Sequence, residues 1–118
     1  MQVYGLNGVN YLDCSDGSLR IAVERDVLDL LSICGEHETD RVLLDWDCLD
    51  PAFFDLKTGL AGTVLLKLSM YRVKAALVMP DEKIGIGKFR DFMLETNRGN
   101  QFRIFNEREA AVEWLTRL

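Results

Sequence analysis

The chain reads as an α/β domain. It is expected to form one unit over residues 1–118, with a mainly parallel sheet of about five strands, an N-terminal hairpin and about four helices. Three observations carry this. Short β-type runs alternate with segments of helical periodicity. Val42-Leu43-Leu44 is wholly apolar between charged neighbours, as a strand covered on both faces would be. Asn7-Gly8 separates two short apolar runs and accepts the positive φ angles of a type I′ turn.

In chain order, Val3 to Leu6 and Val9 to Leu12 are the expected hairpin strands. Ser15-Asp16-Gly17 breaks the pattern, and Ser18 to Val23 is ambiguous between a turn and a helix start. Val27, Leu30, Leu31 and Cys34 then share one helical face, with Asp26 as N-cap and Gly35 as closure. Glu36 to Asp40 reads as a solvated loop. The Val42-Leu43-Leu44 strand ends at Asp45-Trp46-Asp47, and Asp50-Pro51 marks a turn. Phe53-Phe54 leads into an apolar helix from Leu60 to Tyr71. Leu60, Ala61, Val64, Leu65 and Leu68 fall on one face, and Leu66 with Met70 suggests extensive burial.

Val73 to Met79 is the best central strand, stopped by Pro80-Asp81. Gly85-Ile86-Gly87 leads into a helix with Phe89, Phe92, Met93 and Thr96 inward and Gly99 past its end. Phe102 to Phe105 is a short strand. Asn106 begins the last helix, with Glu109 in a capping-box-like position and Ala111, Trp114, Leu115 and Leu118 inward. Strands that alternate with helices imply right-handed crossovers, helices on both faces, and one rim shared by the loops after Leu44, Met79 and Phe105.

With 118 residues, 48% of them hydrophobic, the chain suits one compact core. The net charge of −5, with Lys and Arg scattered, argues against nucleic acid and anionic membranes as partners. No apolar run approaches the ~20 residues of a membrane span, and the start lacks signal-peptide character, so a cytoplasmic protein is expected. Cys14, Cys34 and Cys48 are odd in number and widely spaced. They read as reduced, partly buried thiols rather than a disulfide framework or a zinc set.

Asp55, Lys57, Thr58 and Gly59 are expected on the rim, at the start of the apolar helix. Free N–H groups and the positive dipole end favour an anion there. Two readings of Thr58 stay open: a plain N-cap, or a hydroxyl that carries a phosphoryl group and with it about −1.5 to −2 charges. Gly85-x-Gly87-Lys88 lacks phosphate-loop spacing and reads as a flexible entry loop. Asp45, Asp47, Asp50, Asp55, Asp81 and Glu82 read as a solvated acidic rim rather than a metal site. His37 is the sole histidine and reads as a surface imidazole. No cofactor, metal set or catalytic constellation is expected. From Lys88 to Arg98, charges flank an apolar face, which fits helical ion pairs or a partner-binding surface.

Phe53-Phe54-Asp55-Leu56-Lys57-Thr58-Gly59-Leu60-Ala61-Gly62, Tyr71-Arg72-Val73-Lys74-Ala75-Ala76-Leu77-Val78, and Arg90-Asp91-Phe92 with Glu95-Thr96-Asn97-Arg98-Gly99-Asn100 resemble a family of short bacterial proteins. That family is defined only as a domain of unknown function, family 4180. The resemblance covers nearly the whole chain and departs at Met79-Pro80-Asp81 and at Gly87. A more distant likeness is to STAS domains of the anti-sigma-factor-antagonist type. Asp55-Leu56-Lys57-Thr58-Gly59-Leu60 resembles their switch motif with one more residue between acid and hydroxyl. That likeness implies Thr58 as the phosphorylated residue, Asp55 as its neighbour and a STAS-like architecture.

The expected function is a non-enzymatic regulatory or protein-interaction domain. Its candidate phosphorylation site is Thr58, and its candidate binding residues are Asp55, Lys57, Thr58, Gly59, Lys88, Arg90, Glu95 and Arg98. A protein partner of unspecified identity is implied, and a homo-oligomer is compatible. The alternative is a small-ligand or nucleotide-binding domain that uses the helix starts near Thr58 and Lys88. A stand-alone enzyme ranks third.

Overall fold

The computed structural model describes residues 1–85 and 87–117. Its elements are β1 (Gln2–Leu6), β2 (Val9–Asp13), α1 (Glu24–Glu36), β3 (Arg41–Asp45), α2 (Leu60–Met70), β4 (Lys74–Val78), the one-turn α3 (Asp81–Ile84), α4 (Lys88–Thr96), β5 (Phe102–Phe105) and α5 (Arg108–Leu115). Three 3₁₀ turns, at Trp46–Cys48, Pro51–Phe54 and Leu56–Thr58, fill the connection from β3 to α2. The expected contributions of Ile86 to the loop before α4 and of Leu118 to the last helix lie outside the described residues.

The five strands lie in sequential order, β1 antiparallel to β2 and the rest parallel. Right-handed connections between neighbouring parallel strands all return on the same side. The buried residues follow that rule. Leu12, Val42, Leu44, Ala75, Leu77, Phe102 and Ile104 pack in one cluster with Val27 and Leu30 of α1, Val64 and Leu68 of α2 and Phe89 of α4. The alternate residues Tyr11, Leu43 and Ala76 face the other way, onto Ala111, Trp114 and Leu115 of α5. Helices thus cover both faces, three on one and α5 alone on the other. β3 and β4 are buried on both sides, which explains their apolar runs.

Local chemistry sets the boundaries. Asn7 and Gly8 adopt φ of 56° and 78°, so the hairpin turn is of the expected kind. Helix α1 begins two residues before the expected Asp26. Asp26 acts from inside the first turn, accepting the N–H groups of Ala22 and Val23 at 2.8 and 3.0 Å. Gly35 does not close α1; the helix runs on to Glu36, and Glu38 takes the left-handed conformation at φ 53°. The following loop is not wholly solvated, because Thr39 is buried and donates its hydroxyl to the Asn10 carbonyl at 2.9 Å. Asn106 does not cap α5 either: Glu107 holds that position, and the Asn106 amide donates to Asp81 at 3.1 Å.

Helix α2 buries Leu60, Ala61, Val64 and Leu68 as expected. Leu66 and Met70 do not follow the expectation of extensive burial: they are 59% and 61% exposed. Only one side of α2 meets the sheet, and these residues lie off it. All three cysteines are free and buried. Burial pushes the Cys48 thiol up to about 12 and the Cys34 thiol up to about 11, so both stay protonated. No helix among the described residues is long and apolar enough to cross a membrane.

The two sheet edges are finished differently. At β5, Asn97 lies just past α4 and stands in for a missing strand. Its amide nitrogen donates to the Ile104 carbonyl at 3.0 Å, and its amide oxygen accepts the Ile104 N–H at 2.7 Å. The Thr96 hydroxyl donates to the Phe102 carbonyl at 2.9 Å. Replacing Asn97 by Ala would leave both Ile104 groups without partners, at a cost of about 1–3 kcal/mol. The expected result in thermal unfolding is a Tm lower by about 4–10 °C. Asn97→Asp, which keeps the acceptor and loses the donor, should fall in between.

Candidate functional site

The carboxyl ends of the parallel strands form one rim, and the loops beyond β3, β4 and β5 meet there. Phe53 anchors the first of these loops. It is fully buried, and its ring lies 6.2 Å from Phe102 of β5 and 6.3 Å from Phe89 of α4. Phe54 stacks edge-on to Phe89 at 5.2 Å, and Phe89 meets Phe92 at 5.6 Å. These rings bring the 51–59 segment against the start of α4, so the two halves of the expected surface are neighbours. The Lys83 ammonium over the Trp46 ring, at 5.1 Å, ties the loop after β4 to the loop after β3.

Asp50 and Asp55 each accept a backbone N–H two residues on, Asp50 from Ala52 at 3.0 Å and Asp55 from Lys57 at 3.2 Å. That geometry winds the chain into successive 3₁₀ turns. Thr58 is exposed and closes the second one. Its hydroxyl donates to the carbonyl oxygens of Ala52 and Asp55, at 2.6 and 2.9 Å, and accepts the Leu60 N–H at 3.3 Å. The N-cap itself is Gly59, left-handed at φ 78°, a conformation that a side chain would strain. The Asp55 carboxylate is turned onto the Lys57 amide, so its backbone carbonyl, rather than its charge, meets the Thr58 hydroxyl.

The other expected residues sit on the solvent side of α4. Lys88, Arg90 and Glu95 are exposed on the helix, and Arg98 lies in the turn beyond it. Arg98 and Glu95 pair at 3.5 Å, with both side chains about four-fifths exposed, a contact worth little in water. Among the described residues, Lys57, Lys88 and Arg90 enter no ion pair.

A second polar cluster lies at the same end of the sheet, on the α5 face. Asp13, the last residue of β2, is buried and pairs with Arg108 in the first turn of α5. Ser15 gives Asp13 both its N–H at 2.9 Å and its hydroxyl at 2.6 Å, and Arg108 also donates to the Ser15 oxygen at 3.1 Å. Burial pushes the Asp13 carboxyl up, but hydrogen bonds from Ser15 and Arg108 outweigh it and hold it below the usual carboxylate range. Asp45, at the end of β3, goes the other way. Burial and the neighbouring Asp47 raise it to about 6. A cleft of about 320 Å³ opens beside this cluster, lined by Gln2, Tyr4, Asp13, Ser15 and Asp16.

The cluster escaped the sequence reading because Asp13 and Arg108 are 95 residues apart. The available signal was positional: an acid on the last residue of one strand and a base opening the helix that crosses the same face.

A family model described as "Domain of unknown function (DUF4180)" matches residues 6–115. The chain belongs to that family. No curated protein and no solved structure matches it.

The raised Asp45 sets a pH dependence. The unfolded carboxyl loses its proton near its ordinary value of 3.8, whereas the folded one keeps it until about 6. Stability from this group therefore falls as pH rises through that window. Asp45→Asn removes the ionisable group, and with it the penalty, at nearly the same size. After allowance for solvent screening, the variant should melt about 2–5 °C above wild type at pH 7. The gap should become small by about pH 3.5, where the wild-type carboxyl is mostly protonated in both states. Melting curves across pH 3.5–7.5 measure this.

Proposed function

We propose that this DUF4180 member is a non-enzymatic, cytoplasmic regulatory domain of STAS-like architecture. It docks a protein partner through the rim at Asp55, Lys57, Thr58 and Gly59 and the adjoining solvent face of α4. Thr58 is its switch. The observation that carries the reading is the bonding of the Thr58 hydroxyl: an exposed residue whose Oγ1 donates to two carbonyls of the turns before α2.

A phosphoryl ester on that oxygen has no hydrogen left to donate. The Ala52 and Asp55 carbonyls would lose their partner, and about two negative charges would arrive beside the Asp55 carboxylate. The turn would have to open or rotate, and the charge would fall where Lys57 is free to answer it. Modification thus changes both the shape and the charge of the rim. Lys88 and Arg90 open α4, which the Phe53–Phe54–Phe89–Phe92 rings hold beside the rim, and Glu95 and Arg98 carry the docking surface on toward the far end of that helix. Leu94, half exposed among those charges, supplies an apolar contact.

Nucleotide binding has less support. The helix starts near Thr58 and Lys88 line neither the cleft of about 320 Å³, which carries Asp13 and Asp16, nor a second of about 310 Å³ beside Arg41, Lys74 and Arg117.

Capture of partners from lysate of the source cell, quantified by mass spectrometry, tests the proposal. Thr58→Ser keeps the donor and should capture the wild-type partner set. Thr58→Val and Thr58→Glu both remove it, and Thr58→Glu also adds charge. Capture by Thr58→Glu should change at least about tenfold, or about 1.4 kcal/mol, against wild type. Equal capture by all four proteins removes Thr58 as a switch.

A further inference from the structure

We propose that the outer edge of β1 is a self-association surface, through which two copies of this chain pair antiparallel into one continuous ten-stranded sheet. This goes beyond the rim reading and does not rest on it.

Alternate residues of β1 point their backbone groups away from β2. Leu6 pairs with Val9 across a two-residue turn, Tyr4 with Tyr11 and Gln2 with Asp13. Residues that flank a two-residue turn exchange both backbone bonds, and the pattern alternates from there. Gln2, Tyr4 and Leu6 therefore bond inward to β2. Val3 and Gly5 aim their N–H and C=O groups away from the sheet, and among the described residues nothing bonds to them.

The opposite edge shows what closure looks like in this fold. There Asn97 and Thr96 take up the outward groups of Ile104 and Phe102. β1 has no such cover. It also lacks the usual deterrents to strand addition: a charge, a proline or a bulge. All five of its residues are exposed, with Val3, Tyr4 and Leu6 between 36% and 47%.

Charge and symmetry select a second copy as the occupant. The chain carries a net charge of −5, so two copies repel over most of their surface. Gln2-Val3-Tyr4-Gly5-Leu6 holds no charge, and like meets like there without opposed carboxylates. A two-fold axis through Tyr4 sets Val3 opposite the partner's Gly5, and Gly5 opposite the partner's Val3. Those four residues are the ones whose groups face out, so the pairing forms four backbone hydrogen bonds and leaves no outward group of Val3 or Gly5 unused. The same axis sets Tyr4 against the partner's Tyr4 and Gln2 against the partner's Leu6. Gly5 suits the close approach, and a Cβ there would meet the Asn10 Oδ1 at 2.8 Å, so that side chain would have to turn aside.

Sedimentation equilibrium from about 10 to 500 µM, the range in which a small interface associates, should give a monomer–dimer equilibrium for wild type. Val3→Pro removes an outward N–H and leaves the β1–β2 ladder intact. By symmetry it deletes two of the four bonds and should weaken the dimer at least about tenfold, with an unchanged circular dichroism spectrum. Tyr4→Cys gives a second readout, since the three native thiols are buried. Under mild oxidant it should form a disulfide-linked dimer, whereas Leu28→Cys on α1 should not. A wild-type chain that stays monomeric throughout, and so leaves the edge to a strand of another protein, overturns the proposal. So does a folded Val3→Pro that dimerises as wild type does, or equal cross-linking at positions 4 and 28.

Discussion

The constraint that shapes this molecule is the one-sidedness of its crossovers. Strands β2 to β5 follow one another without a skip, so each connection returns to the same face. That face receives α1, α2 and α4, and only the final helix is left to cover the other. Helix α5 has eight residues. At 1.5 Å per residue it is about 12 Å long, enough to shield two or three strands and not five. It is packed over β3, β4 and β5. Its burial is concentrated in Trp114, which meets Phe105 at 5.7 Å, with Ala111 and Leu115 in the core beside it. The Asp13–Arg108 pair fastens the other end of α5 to β2, where Tyr11 also joins the cluster around Ala111, Trp114 and Leu115. β1 falls outside its cover, which leaves Gln2, Tyr4 and Leu6 exposed on that face.

The same topology bears on where a ligand can bind. Open α/β sheets make their crevice where neighbouring connections leave to opposite faces. Sequential order provides no such point among the parallel strands here. The rim is therefore filled by its own loops: three 3₁₀ turns, the one-turn α3, and the aromatic rings of Phe53, Phe54, Phe89 and Phe92. A filled rim with an exposed threonine and uncovered charges suits a surface that another protein reads.

Much of the fold was legible because it is local. Asn7-Gly8 implies a turn with positive φ, and the apolar runs at Val42 and Val73 imply strands covered twice. What stayed hidden depends on neighbours distant in the chain. Leu66 and Met70 carry a sequence signature of burial because periodicity counts apolar residues on a helix but cannot say how many sides that helix has covered. Asp26 looks like a cap in sequence because an acid before an apolar face suits the N-cap and the third helical position equally. The pairing of Asp13 with Arg108, and the closure of β5 by Asn97, need the strand order first. Of the candidate site, Thr58, Gly59 and the exposed side of α4 lie where the residue types implied. The bonding that gives the Thr58 hydroxyl its leverage involves Ala52, six residues back, through a turn that no periodicity announces.

The segment Glu95-Thr96-Asn97-Arg98-Gly99-Asn100 gains a physical reading from the edge it closes. Thr96 and Asn97 bond to the β5 backbone, Gly99 offers its carbonyl to Arg103 at 2.7 Å, and Asn100 accepts from the same guanidinium at 3.1 Å. A stretch that looked like a partner-binding run is in part an internal seal. The contrast with β1 bears on the proposed switch. A two-fold axis through an antiparallel strand pair stands perpendicular to the sheet, so it keeps both α5 helices on one side and turns the two carboxyl rims to opposite ends. Association through β1 would present two Thr58 surfaces that do not obstruct each other. A divalent partner, or a surface that displays many copies of one, would meet the second rim at raised effective concentration once the first had docked. A charge added at Thr58 would then act on both contacts of a bivalent complex, so a modest change in each would be multiplied in the whole.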